Sequence, residues 1–250
     1  MSGLKTKSTY SYIPGVMQYS AGVAALDGFA IERVRFEEPV KLEEGFQRIG
    51  AYLEKIGRPL DSFCACELRS PAPFTEDGFR TFNEAYSSVL IDWGIMEGED
   101  NPVARSNVCP EINPPSEPSF HAFCYTVPTS EAGPTFIVAG SGEAREGQGT
   151  YRDNTVRYGE TSPDAIAEKA DYVLGEMERR MSFFGATWAD TTAVQLYTVF
   201  PIHAFLEDAI VKRGAARHGL TWHYNRPPVR DLEYEMDCRR VLTERVLVGR

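Results

Sequence analysis

The stretch KLEEGFQRIGAYLEKIGRPLDSFCACEL, residues 41–68, decides the fold. Gly57 divides it, because glycine is the usual residue that ends a helix. After the turn that holds Asp61, the segment SFCACEL at 62–68 predicts a strand. Before Gly57, apolar side chains recur every three or four residues, as on the buried face of a helix: Leu42, Phe46, Ile49, Leu53 and Ile56.

The same order of signals returns in the second half of the chain. Ser162 and Pro163 predict a helix start, because serine caps the first turn and proline fits into it. An apolar stripe follows and ends at Gly185, and TTAVQLYTV at 191–199 predicts the next strand. The chain therefore reads as one unit of strands, helix, strand, helix and strands that occurs twice.

This repeat predicts an α+β protein with two domains, at residues 1–130 and 131–250. Each domain is expected to be a mixed β-sheet packed on two helices. In the first half the second helix carries apolar residues from Phe79 to Val89, and in the second half the last helix covers 205–216. The linker is expected within 128–134, where Pro, Ser, Glu and Gly are gathered.

Composition narrows the classes of function. The 250 residues are 42% hydrophobic and carry a net charge of -10, so nucleic acid is not an expected partner. No stretch reaches the roughly 18 apolar residues of a membrane span, and no signal-peptide pattern opens the chain, so we expect a cytoplasmic protein away from membranes. The five cysteines are irregularly spaced, which predicts buried thiols, and no Cys or His spacing indicates a metal site.

Two further motifs carry a family resemblance. FRTFNEAY at 79–86 and PVARS at 102–106 follow Gly57 and Asp61 in an order that resembles the RidA family, also called YjgF. The resemblance covers residues 42–127 closely and 136–246 more loosely. It implies two tandem RidA-like domains of chorismate-mutase-like fold, in a homo-oligomer with a trimer favoured. It also implies a small anionic substrate, since several RidA-like proteins hydrolyse enamines or imines to a ketone and ammonia.

The resemblance assigns the site residues unevenly between the halves. Arg105 matches the family arginine that binds the substrate carboxylate, and a guanidinium is suited to that bidentate contact. The other interpretation is a solvated surface arginine. Tyr19 stands near the family's N-terminal aromatic residue. In the last strand of the first half, His121 occupies the place of the family's acid. Glu233 matches that acid in the second half, with Glu235 two residues further on the same face.

Neither half carries a complete set of family residues. We therefore expect a composite pocket with Arg105 from the first half and Glu233 from the second. The alternative is that each half lost its site separately, which would leave one altered site or none.

An unusual polar and aromatic segment, WHYNRPP, spans 222–228. The resemblance places it where ligand-facing residues are expected, so Trp222 and Arg226 are predicted to bind substrate. His223 is predicted as an acid or base near neutral pH, and its alternative role is a histidine satisfied within an interface.

The predicted function is the hydrolytic deamination of a small enamine or imine that carries a carboxylate, in a catabolic pathway. No cofactor is expected, because an imine is already electrophilic. Two alternatives stay open: lyase or mutase chemistry on a hydroxylamino-aromatic acid of the hydroxylaminobenzoate type, and a non-catalytic ligand-binding or chaperone-like module.

Overall fold

The computed structural model describes residues 3–130, 133–145 and 149–249, which form two mixed β-sheets and few helices. The strands are β1 (Lys5–Lys7), β2 (Tyr10–Ile13), β3 (Gly22–Ala25), β4 (Phe29–Lys41), β5 (Phe63–Arg69), β6 (Ala104–Pro110), β7 (Ser119–Pro128), β8 (Phe136–Gly142), β9 (Ala193–Tyr197), β10 (Thr221–His223), β11 (Asn225–Arg226), β12 (Glu235–Arg240) and β13 (Thr243–Leu247). The helices are α1 (Leu42–Lys55), α2 (Glu76–Asp92), α3 (Tyr151–Asn154) and α4 (Pro163–Ser182).

Three of the predicted helices are confirmed as α1, α2 and α4. Gly57 follows α1 with φ +69°, a left-handed conformation that glycine adopts without strain. The Ser162 hydroxyl accepts the backbone N–H of Ala165 and caps α4 as predicted. The helix expected over 205–216 is instead a short π-helical segment, Leu206–Val211. No helix within the described ranges is long and apolar enough to cross a membrane.

The two sheets share a four-strand order. The six-stranded sheet runs β11-β6-β5-β7-β4-β13, and the seven-stranded sheet runs β1-β2-β3-β8-β12-β9-β10. In each, a parallel pair lies beside antiparallel strands: β5 with β6 in the first, and β9 with β10 in the second. The strand order β6-β5-β7-β4 thus corresponds to β10-β9-β12-β8.

Strands at both ends of the chain cross over to the sheet of the opposite half. The N-terminal hairpins β1, β2 and β3 join β8, while the C-terminal strand β13 pairs with β4. The first sheet packs on α1 and α2, but the second packs on the single long helix α4. The prediction of an α+β chain made of two tandem RidA-like domains, each a sheet on two helices, is therefore wrong. Periodicity predicts single elements, whereas strand exchange depends on contacts between residues far apart in the sequence.

The core forms three layers. Aromatic side chains fill the space between α1, α2 and the first sheet, and aliphatic residues and methionines fill the space under α4. Between the sheets the apolar cluster includes small residues such as Ala65, Ala104 and Ala139. All five cysteines are buried and free, as predicted. Because small side chains let the sheets approach closely, polar groups on the facing surfaces come into contact across the interior.

A buried ion pair fixes the start of β12. The Lys169 ammonium on α4 lies 3.1 Å from Oε1 of Glu143, and neither side chain is exposed. Glu143 also accepts the backbone N–H groups of Glu233 and Tyr234, at 2.6 and 3.1 Å. The Glu143 carboxylate therefore links α4, the end of β8 and the residues just before β12.

We expect Lys169→Met to lower the free energy of unfolding by about 3–5 kcal/mol, because it leaves the Glu143 charge buried without its partner. Urea denaturation measures the change. Lys212→Met is the matched control, since that lysine pairs with Asp208 on the surface and its loss should leave the midpoint unchanged. Equal effects of the two substitutions would contradict the role of the buried pair.

Candidate active site

A cavity opens where β6 of the first sheet meets β8 and β12 of the second. Its empty space, counted out to open solvent at the mouth, is about 450 Å³. We call it the Arg105 cavity. It is lined by Tyr19, Phe79, Arg105, Asn107, Gly140, Gly142, Ala144, Tyr151, Pro228, Val229, Leu232 and Glu235.

Arg105 is a buried cation held by aromatic rings instead of by an acid. Its side chain lies on β6, and its guanidinium carbon is 4.7 Å from the ring centre of Tyr86 and 5.4 Å from that of Phe82. Tyr19 and Phe79 lie within 6 Å of the same guanidinium. No carboxylate of the described residues pairs with it, although only 3% of the residue is exposed. Cation–π contact stabilises the charge only in part.

Unused hydrogen-bond donors accompany this cation. Nη2 of Arg105 donates to Oδ1 of Asn83 at 2.6 Å, but Nη1 has no acceptor among the described residues. The Nδ2 groups of Asn83 and Asn107 are also buried without an acceptor there, and Asn107 lines the cavity. A buried donor without a partner is costly. An anionic ligand with several oxygens, such as a carboxylate, fits these donors.

Glu235 places an acid in the same cavity. It is the first residue of β12 and is 4% exposed. Burial raises the pKa of its carboxyl well above the usual range, and the negative charges of Asp237 and Glu143 add to the rise. Burial therefore favours the protonated form of Glu235, which could donate its proton. A Cβ on Gly140 would overlap Oε1 of Glu235, so the glycine makes room for this carboxyl.

A polar network crosses from one sheet to the other beside the cavity. Oδ2 of Asp237 accepts the hydroxyls of Ser106 and Tyr197 at 2.7 and 2.8 Å, and its Oδ1 accepts Nε2 of Gln195 at 2.9 Å. Ser106 belongs to the first sheet, and the other three residues belong to the second. We call this set of four residues the inter-sheet network.

His223 extends this network and stays neutral. Because Nε2 of Gln195 donates to Asp237, its Oε1 is the acceptor for His223, so the histidine carries its proton on Nε2, which lies 3.2 Å away. Burial and the nearby charge of Arg69 lower the pKa of His223 to about 4, and they lower that of His121 to about 3.

The predicted site residues lie in three places. Arg105 and Tyr19 line the cavity, and His223 and His121 lie apart from its lining, near Arg69. The substrate-binding roles of Arg105 and Tyr19 and the catalytic roles of His223 and His121 stay predictions.

The remaining predicted residues lie outside the cavity lining. Arg226 pairs with Glu111 at 2.9 Å and with Glu233 at 3.4 Å. Trp222 is 37% exposed and donates to the carbonyl of Thr198. Arg105 and Glu233 therefore do not line the same cavity, whereas Arg105 and Glu235 do.

Sequence reasoning missed several groups around Arg105. Asn83 lies in the quoted 79–86 motif, and helical spacing puts it on one face with Phe79 and Tyr86, so the motif could have indicated the guanidinium's surroundings. The sequence predicted Glu233 as the acid, with Glu235 on the same face of one strand, but β12 begins only at Glu235, which lines the cavity. Asn107 and Asp237 had no comparable signal, because contacts across the sheets define their roles.

Comparison with known proteins defines the class. The family model described as 2-aminomuconate deaminase CnbZ matches residues 4–245, so the chain belongs to this family of deaminases. One relative is the 2-amino-5-chloromuconate deaminase of Comamonas testosteroni, which is 50% identical over 240 residues, 95% of this chain and 96% of the relative.

The fold is similar to that of a chorismatase crystal structure. The TM-score is 0.54 at 11% identity, over 94% of this chain and 78% of the chorismatase. The assignment to the RidA family is therefore wrong. The helix and strand signals that carried it are local, and they recur here in a chain of another family with exchanged strands.

We expect the imidazoles of His223 and His121 to titrate in NMR spectra near pH 4 and pH 3. The unfolded chain binds these protons at a higher pH than the folded chain does. The neutral histidines therefore contribute fully to stability above pH 6.5, and this contribution is lost as the pH falls from 6.5 toward 4. Arg69→Gln should raise both midpoints by removing a nearby positive charge, whereas Arg80→Gln on exposed α2 surface should not. Midpoints near 6.5 in the native protein would contradict this assignment.

Proposed function

We propose that this protein catalyses the hydrolytic deamination of a 2-aminomuconate-type substrate, without a cofactor, in the breakdown of aromatic compounds. Membership of the deaminase family and the 50% identical relative support the deaminase class over the lyase, mutase and binding-module alternatives. The observation that carries the proposal is one cavity lined both by Arg105, a buried guanidinium without a carboxylate partner among the described residues, and by Glu235, a carboxyl whose pKa burial raises.

Arg105 would bind one carboxylate of the substrate. Nη1 of Arg105 and Nδ2 of Asn107 offer donors that the described residues leave unused. A carboxylate placed against them satisfies both in a water-poor site, where charged hydrogen bonds are strong. The rings of Tyr19 and Phe79 form part of the wall, which suits the flat, conjugated carbon chain of a muconate.

Glu235 would move the protons of the reaction. It first donates its proton to an enamine carbon, which converts C–NH₂ into an electrophilic C=NH₂⁺ group. Water then adds to the carbon that bears nitrogen, and the Glu235 carboxylate accepts the proton that the water loses. The neutral carbinolamine takes this proton on nitrogen, the C–N bond breaks, and the hydroxyl proton returns to Glu235. The sum is enamine plus water to ketone plus ammonia.

The purified protein, dialysed against a metal chelator, is expected to convert 2-aminomuconate with release of one ammonia per molecule consumed. In ¹⁸O-labelled water the product should gain one labelled oxygen at the carbon that carried nitrogen. Ammonia release without label at that carbon would refute the hydrolytic route.

Arg105→Lys is expected to lower kcat/KM by roughly 10- to 100-fold, chiefly through a higher KM, because lysine keeps the charge but loses the planar bidentate contact. Arg80→Lys is the matched control, since Arg80 lies on α2 with its side chain exposed and paired to Asp77. An unchanged KM in Arg105→Lys would remove Arg105 from substrate binding.

Glu235→Gln is expected to lower kcat by roughly 10²- to 10⁴-fold with little change in KM, because glutamine fills the same space but donates no acidic proton. The same measurement on Glu233→Gln distinguishes the two acids, and we expect the smaller loss there because Glu233 lies outside the cavity lining. A larger loss in Glu233→Gln would transfer the acid's role to that residue.

A further inference from the structure

We propose that Asp237 is a positioning residue that keeps Glu235 in its protonated form by holding a permanent negative charge beside it in the protein interior. This inference rests on the proposed function, in which Glu235 must begin each cycle with a proton to donate. It concerns a residue outside the cavity lining, whose role is set by the contact between the two sheets.

Asp237 is held as a carboxylate. Three donors occupy its two oxygens: the hydroxyls of Ser106 and Tyr197, and the amide nitrogen of Gln195. Because Gln195 also donates to the Tyr197 oxygen at 3.0 Å, the tyrosine's own hydrogen is left for Asp237. Burial and the charge of Glu67 raise the pKa of Asp237 above its ordinary value, and the hydrogen bonds from Gln195 and Ser106 and the charge of Arg239 limit that rise. Three converging donors favour the ionised form.

This charge lies close to Glu235 and is not neutralised. The two residues are separated by one position on β12, so both side chains point into the space between the sheets, about 6.8 Å apart along the strand. No ion pair of Asp237 within 4 Å occurs in the described part of the chain, and the residue is only 4% exposed. In such surroundings a second negative charge at Glu235 is strongly disfavoured.

The other charged groups that face Glu235 leave Asp237 as the decisive one. Glu143, at the end of β8, also repels a charge on Glu235, but its partner Lys169 lies 3.1 Å away and offsets it. Arg180 on α4 and Arg69 on β5 favour ionisation of Glu235. Arg105 lines the same cavity, and its positive charge also favours ionisation of Glu235. Without Asp237 these cations would be opposed chiefly by burial, so Glu235 would lose its proton at a lower pH.

Asp237→Asn tests this directly, because it removes the charge and keeps the shape. We expect the alkaline limb of the kcat/KM profile to move to lower pH by about 1 to 2 pH units. Turnover at neutral pH should fall and should recover as the pH is lowered, since Glu235 is then protonated again. Asp171→Asn, which alters an exposed acid on α4 paired with Arg213, is the control and should leave the profile in place.

Infrared spectroscopy of the same variants supplies a readout that needs no turnover. The carboxylic-acid band of Glu235 is identified by its absence in Glu235→Gln. We expect this band at neutral pH in the native protein. As the pH is raised, the band should disappear at a lower pH in Asp237→Asn than in the native protein. If Glu235→Gln retained full activity, the proposed function would fail while the band still tested the role of Asp237.

The result that overturns the inference is an unchanged midpoint of the Glu235 band in Asp237→Asn. If that variant does not fold, Ser106→Ala takes its place, because it removes one donor to Asp237 and no buried charge. We expect a smaller shift of the Glu235 midpoint in the same direction, because the loss of the Ser106 donor raises the pKa of Asp237 and lowers the fraction of Asp237 that is ionised. No shift in Ser106→Ala would then overturn the inference.

Discussion

A buried guanidinium that has no carboxylate partner within the described part of the chain is the constraint on which the site depends. Arg105 is surrounded by the rings of α2 and by Tyr19, and one amide oxygen, that of Asn83, accepts from it. Aromatic faces stabilise a cation less than an acid does. Burying an arginine in this state costs free energy when no ligand is bound. Its unused N–H donor gains an acceptor when an anion enters the cavity.

The two sheets contribute opposite halves of the chemistry. The first sheet carries Arg105 on β6, and the second carries Glu235 on β12. Close approach of the sheets joins them, since Gly140 on β8 leaves the space that the Glu235 carboxyl occupies. In the function we propose, this arrangement would separate a permanent cation that binds substrate from a proton donor, each on a different strand.

The interior between the sheets is organised by charge as much as by apolar contact. Arg33 binds Glu67 through two hydrogen bonds of 2.6 and 2.9 Å, which neutralises both groups in the first sheet. Asp237 instead accepts hydrogen bonds from neutral donors of both sheets. In a low-dielectric interior charges act over several ångströms, and the charge of Asp237 contributes to the raised pKa of Glu235.

The sequence by itself determined the local elements and singled out two residues that line the cavity, Arg105 and Tyr19. Helical periodicity, Ser162 at a helix start and Gly57 at a helix end predicted α1, α2 and α4, because caps and apolar spacing act over a few residues. The PVARS motif singled out Arg105, which lies in the cavity. Tertiary structure alone decided which strands exchange between sheets, and which of two acids two residues apart lines the same cavity as that arginine. Those outcomes depend on pairing between distant strands and on the space left by a glycine of another strand, and no local pattern in the chain encodes either.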